Sequence, residues 1–175
     1  MSDSIVLPVP GLVLLVGAAG SGKSSLAAAH FPPTDILSSD ALRAVISGDE
    51  ADQAASRAAF NALHREVTKR IRAGRLVVVD ATNVRARHRR PLLIAARDAR
   101  IPVSAIVLDL ARDVVQARNA GRHRVVPSDV VDRQLGWLRE TVDGDQLRDE
   151  GVDPIVVLSD PHAVDALRVR LRPRV

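Results

Sequence analysis

The chain has 175 residues, 46% of them hydrophobic, with a formal net charge of +4 at pH 7 and no cysteine. That length suits one packed core and is short for two, so residues 1–175 are expected to form a single domain. The missing cysteines exclude disulfides, thiolate metal sites and cysteine nucleophiles, and no apolar run approaches the roughly 18 residues that span a bilayer.

The start, MSDSIVLPVP, lacks the basic flank and apolar length of a signal peptide, so a cytoplasmic protein is the expectation. Gly11 to Val16, GLVLLV, is a short apolar run bounded by glycines, the pattern of a strand buried on both faces of a parallel sheet. A helix is predicted from about Gly22 to His30, ending before Pro32-Pro33. Between strand and helix, residues 17–24 read GAAGSGKS and satisfy G-x-x-x-x-G-K-[ST] in the context that motif requires. Backbone N–H groups wrap a nucleotide's β-phosphate there, so side chains are kept small, and the helix N-terminus adds donors and a positive dipole end. Gly17, Gly20, Ser21, Gly22, Lys23, Ser24 and Ser25 are the candidate nucleotide-binding residues. Lys23 is placed to bridge the β- and γ-phosphates and the Ser24 hydroxyl to ligate Mg²⁺. The sequence has no N-K-x-D guanine signature, which favours ATP over GTP.

Ile36 to Ser38 makes a second strand, followed by Asp40 and, one helical turn on, Arg43. A phosphoryl acceptor needs a base and an anchor: Asp40 can take its hydroxyl proton and Arg43 can fork onto a phosphate of the acceptor. The plainer reading makes Asp40 a helix N-cap paired with Arg43. From Asp52 to Ala73 the apolar stripe Ala55, Ala59, Leu63, Val67, Ile71 predicts a helix terminated by Gly74. Leu76 to Val79 is another buried strand, closed by Asp80, which stands where an acidic residue positions Mg²⁺ opposite a P-loop. Thr82 and Asn83 then form either an ordinary strand-to-helix turn or a support for the acceptor or Asp80.

Helical periodicity returns near Arg89 to Ala99, preceded by a basic run of Arg85, Arg87, His88, Arg89 and Arg90. Such a run fits a nucleic-acid phosphate track or the exposed first turns of a helix. Pro102 to Leu108 forms a strand and Ala111 to Ala120 a helix, at whose end Arg118, Arg122 and Arg124 suggest a mobile arginine lid over the transferring phosphoryl group. After Pro127, the residues Val131, Leu135, Leu138 and Val142 share one helical face. Trp137 lies off that stripe, at the core edge or stacked on a base. Ile155 to Leu158 is the last strand before an arginine-rich end. The five histidines never pair at metal-ligand spacing, and the scarcity of aromatics argues against extensive base stacking. Alternating apolar strands and helices indicate a doubly wound α/β parallel sheet, which binds ligands beyond the carboxyl ends of its strands.

The stretches GLVLLVGAAGSGKSSLAAAHF, ILSSDALRAVISGDEADQ, AGRLVVVDATNVRARHRRPLLIAAR, IVLDL and ARNAGRHRVVP, in order from about Gly11 to about Leu158, resemble the 5′-kinase module of bacterial polynucleotide kinase-phosphatases, the end-healing enzymes of RNA repair. The resemblance implies a P-loop NTPase of adenylate-kinase-like phosphotransferase type, with helices on both faces and an arginine lid. It implies transfer of the ATP γ-phosphate, with Mg²⁺, to the 5′-OH of RNA or DNA. Lys23 and Ser24 would act in the P-loop, Asp40 as general base, Arg43 on the acceptor phosphate, and Arg118 and Arg122 in the lid. Asp49 and Gln53 match a family stretch near the acceptor. The family's larger members continue into a metallophosphatase domain that these residues do not include, so no phosphatase or ligase activity is carried over. Two alternatives remain: a zeta-toxin-like kinase of a sugar, nucleotide sugar or antibiotic, and a regulatory nucleotide-binding module.

Overall fold

The computed structural model describes residues 4–42 and 53–174. Among these, β1 (Ser4–Val9) stands apart from a central parallel sheet of β2 (Gly11–Val16), β3 (Ile36–Ser38), β4 (Leu76–Asp80), β5 (Val103–Leu108) and β6 (Ile155–Leu158), whose spatial order is β3-β4-β2-β5-β6. The connecting helices are α1 (Lys23–His30), α2 (Gln53–Arg72), α3 (Ala86–Asp98), α4 (Arg112–Ala120), α5 (Ser128–Asp143), α6 (Gln146–Asp149) and α7 (Pro161–Ala166). From β2 the chain crosses to β3, beyond β4, and after β4 it passes to β5 on the other side of β2, so the connections diverge beside β2, where α/β sheets open a crevice at the carboxyl ends of their strands.

Side-chain alternation along β2 explains why the whole run is apolar. Leu12, Leu14 and Val16 enter one core with Leu63 and Val67 of α2, Leu92 of α3 and Leu138 of α5. Val13 and Leu15 enter the other with Leu26 and Ala27 of α1 and Ile5 and Leu7 of β1. Helices therefore cover both faces. The stripe read for α2 is buried at Ala59, Leu63, Val67 and Ile71, and each large aliphatic so covered contributes about 1.5–3 kcal/mol.

Register sets the site. Leu15 and Ser38 each pair with Asp80 from opposite sides, so β2, β4 and β3 end level. The segments that follow them emerge at one edge.

The structure corrects the sequence reading in four places. Ile155–Leu158 is not the last strand: β7 (Arg168–Pro173) follows it and pairs in parallel with β1, Ile5 opposite Val169 and Leu7 opposite Leu171. α3 begins at Ala86 rather than near Arg89, with Pro91 inside it and an extended Arg85 as its N-cap. The short helices α6 and α7 were not anticipated. Arg89, read within an exposed basic run, is fully buried: its guanidinium is bidentate to Glu150 at 2.7 Å on both oxygens and donates to the Asn83 carbonyl at 2.8 Å.

Candidate active site

At the carboxyl edge of the sheet the P-loop turns back on its own lysine. Lys23 Nζ donates to the carbonyls of Gly17 at 3.0 Å and Ala18 at 2.8 Å. Gly20 and Gly22 take φ of +86° and +99°, the left-handed region that side chains resist. Space forbids a side chain at Gly20 as well, since a Cβ would lie 2.6 Å from the Val115 carbonyl of α4. The loop is tied from two directions: Gly17 N–H donates to the Thr82 carbonyl at 2.9 Å, and Ala19 N–H to Gln134 Oε1 of α5 at 2.8 Å. Asn83, with φ of +50°, clamps the strands beneath by donating to the Leu15 carbonyl at 2.8 Å. Thus Asn83 supports the turn beyond Asp80.

Ser24 Oγ donates to Asp80 Oδ2 at 2.7 Å. A hydroxyl and a carboxylate side by side are the hard oxygen donors that Mg²⁺ takes, and one or two protein ligands suffice for an ion otherwise held by phosphates and water. Among the described residues no group of three or more His, Asp or Glu side chains is placed to hold a metal ion. Lys23 is buried beside them. Burial lowers its pKa from 10.5 to about 8, opposed by the Asp80 and Asp40 charges and reinforced by Arg122.

Asp40 stands in residues 39–42, the helical start after β3. Ser38, not Asp40, acts as the cap there, its Oγ accepting from Ala41 N–H at 3.3 Å. The Asp40 carboxylate instead meets Arg122 Nη2 at 3.5 Å. Arg118 Nη1 donates to the Ser21 carbonyl at 3.3 Å, so α4 lays one arginine on the P-loop and the connection after it brings a second to Asp40. The fully buried Asn119 shapes that connection, donating to the Val126 carbonyl at 2.7 Å and accepting from Val126 N–H at 3.1 Å.

These groups line a cleft of about 1080 Å³ that also takes in Ser25, Arg124, Phe60 and His88. Its size lies just above the range of about 300–1,000 Å³ for small-molecule pockets. Phe60 of α2 and His88 of α3 meet with ring centroids 5.5 Å apart. Sequence reasoning missed Phe60, Gln134 and the role of Asn119. Nothing in their spacing marks them, because contact across helices brings them in. Arg43 and Asp49 lie outside the described residues, as do the side chains of Gln53 and Ala55.

A family model described as an AAA domain matches residues 12–144. No curated protein sequence matches. Among solved structures, a chain of the Pnkp1/Rnl/Hen1 RNA repair complex is similar at TM-score 0.68 and 21% identity, over 78% of this chain and 46% of that one. The present chain therefore spans about half the length of that relative. A gluconokinase from Sinorhizobium meliloti 1021 is similar at TM-score 0.57 and 19% identity, over 91% and 90% of the two chains. Chaetomium thermophilum Kti12 in complex with ADP-AlF3 is similar at TM-score 0.61 and 17% identity, over 88% and 93%.

Proposed function

Because the chain belongs to the AAA domain family and has a P-loop kinase fold, we propose that it is an ATP-dependent polynucleotide 5′-hydroxyl kinase acting in nucleic-acid end repair. The observation that carries the reading is the convergence of Lys23, Ser24, Asp40, Asp80, Arg118 and Arg122 on one cleft. The likeness to a chain of an RNA repair complex supports the acceptor class.

In this reading the P-loop amides and Lys23 hold the β- and γ-phosphates, and Ser24 and Asp80 hold Mg²⁺, which when bound screens the phosphate charge. Asp40 accepts the proton of the acceptor 5′-OH as its oxygen bonds to the γ-phosphorus. The bond from that phosphorus to the β,γ-bridging oxygen breaks, and ADP leaves. Arg118 and Arg122 stabilise charge on the transferring group. Arg43 is proposed to anchor the acceptor's own phosphate. The second acceptor class is a sugar, by analogy with the gluconokinase that shares this fold over nine-tenths of its length.

γ-Labelled ATP, Mg²⁺ and a 5′-OH oligonucleotide test the proposal. Label is expected at the oligonucleotide's 5′ end. Label on gluconate or another sugar, with none on the oligonucleotide, overturns it.

A further inference from the structure

The basic run at the start of α3 divides into two parts. Arg89 is buried against Glu150, whereas Arg85 is half-buried and Arg87 and Arg90 are exposed. Two exposed arginines of the neighbouring helices are paired with carboxylates, Arg112 with Asp132 and Arg133 with Asp129, while others, Arg65 and Arg139 among them, are not paired within the described residues. Among the described residues, Arg85, Arg87 and Arg90 form no ion pair. Arg85, Arg87 and Arg90 put three positive charges on one short segment, and Glu140 shares the hollow that Arg85 and Arg87 line.

The patch adjoins the cleft. His88 lines the active-site cleft together with Asp40 and Phe60. One residue earlier, Arg87 lines a separate hollow of about 270 Å³ with Arg85, Trp137 and Glu140. The segment thus crosses the ridge between the two. Arg87 Nε donates to His88 Nε2 at 3.2 Å, which fixes the approach of one side chain to the other. Arg85 lies over the Trp137 ring, 4.3 Å from its centroid. A guanidinium stacked on an indole keeps its in-plane N–H donors available while losing conformational freedom. That arrangement suits a phosphate ligand. It has no use for a metabolite held wholly inside the cleft.

Resting on the polynucleotide reading above, we propose that Arg85, Arg87 and Arg90 form a track for the phosphodiesters on the 3′ side of the acceptor's terminal nucleotide, with Trp137 holding the Arg85 guanidinium in place. A strand whose 5′-OH lies at Asp40 leaves the cleft past His88 and reaches these arginines next. Trp137 acts through Arg85 and is a positioning residue.

The test compares two acceptors that differ in the track alone: a 5′-OH oligonucleotide of ten nucleotides and a nucleoside 3′-monophosphate. For the triple substitution R85A/R87A/R90A, kcat/KM on the oligonucleotide is expected to fall at least tenfold, mainly through KM, while kcat/KM on the monophosphate changes less than twofold. Single-strand binding releases about 0.7 counterion per phosphate neutralised, so the salt dependence of the oligonucleotide reaction is expected to become shallower by about 2 in log–log slope. R85K/R87K/R90K, which keeps the charge, is expected to recover most of the oligonucleotide activity. Equal losses on both acceptors, or an unchanged oligonucleotide reaction in a protein that labels both, overturn the track and leave the kinase reading standing. A wild-type protein that labels neither acceptor removes the kinase reading, and the track falls with it.

Discussion

Arg122, on the connection after α4, meets the carboxylate of Asp40, on the segment after β3, at 3.5 Å. The proposed base and a proposed phosphate clamp therefore share one interaction. A triphosphate offers the arginine more negative charge than one carboxylate does, so nucleotide binding is expected to draw Arg122 off Asp40 and leave the carboxylate to the acceptor. Asp40→Asn should lower phosphoryl transfer by roughly 10²- to 10⁴-fold while ATP affinity stays within about threefold. Arg122→Ala should slow transfer more than tenfold at saturating ATP, by loss of transition-state charge stabilisation. Single-turnover transfer of labelled phosphate measures both. Faster turnover in Arg122→Ala would mean that the arginine restrains the base and does not clamp phosphate.

The hydrogen bond from Ser24 to Asp80 gives a metal prediction. Asp80→Asn should raise the Mg²⁺ concentration for half-maximal transfer by roughly 10- to 100-fold, the usual cost of removing a partner that orients a metal site. A Mg²⁺ titration of each protein at fixed ATP decides the matter. An unchanged midpoint would confine Asp80 to holding the Ser24 hydroxyl.

Lys23 sets a pH dependence with two opposite signs. In the free protein its charge is lost as pH rises through about 8, whereas bound phosphate favours the charged form, so ATP affinity should weaken by roughly fivefold from pH 8 to 9. Stability of the nucleotide-free fold should run the other way. Between about 8 and 10.5 the unfolded chain, with its ordinary lysine pKa, binds the proton more tightly than the folded one. Stability therefore rises with pH across that window and is lost again as pH falls through 8. Lys23→Met should flatten both trends, read by nucleotide titration and by thermal melting across the same pH series.

Glu150→Ala should be severe, although Glu150 does not line the cleft. It leaves the fully buried Arg89 guanidinium without its carboxylate, a loss of about 3–5 kcal/mol. At this chain length that corresponds to a fall in Tm of about 10 °C. Since Arg89 also holds the Asn83 carbonyl, the turn beyond Asp80 should loosen. A melting temperature within about 2 °C of wild type would show that the site accommodates the charge.

Much of this was legible in the sequence where local pattern and local chemistry coincide. The β2 run, the α2 stripe from Ala59 to Ile71 and the P-loop all carry their own signals, and the structure puts each where its pattern says. The β1–β7 pair was not legible. It joins the two ends of the chain, its first strand contains Pro8, and the second alternates arginine with valine and leucine, so it read as a charged tail. Arg89 was hidden for a similar reason: a charge inside a basic run looks solvated until Glu150, 61 residues on, is seen to cover it. The cap that the sequence suggested at Asp40 is supplied by Ser38, two residues earlier, which takes the Ala41 amide, and the local pairing with Arg43 lies outside the described residues. Phe60 and Gln134 reach the cleft only through helix packing, which no spacing in the sequence records.

The most direct measurement is a competition in one tube: γ-labelled ATP and Mg²⁺ with an equimolar mixture of a 5′-OH oligonucleotide and small polyol acceptors, gluconate among them, followed by separation of the labelled products. Label is expected almost wholly on the oligonucleotide's 5′ end, and is expected to be lost with Asp40→Asn. Label partitioning to a small acceptor, or an oligonucleotide reaction that Asp40→Asn leaves intact, would contradict the polynucleotide kinase reading.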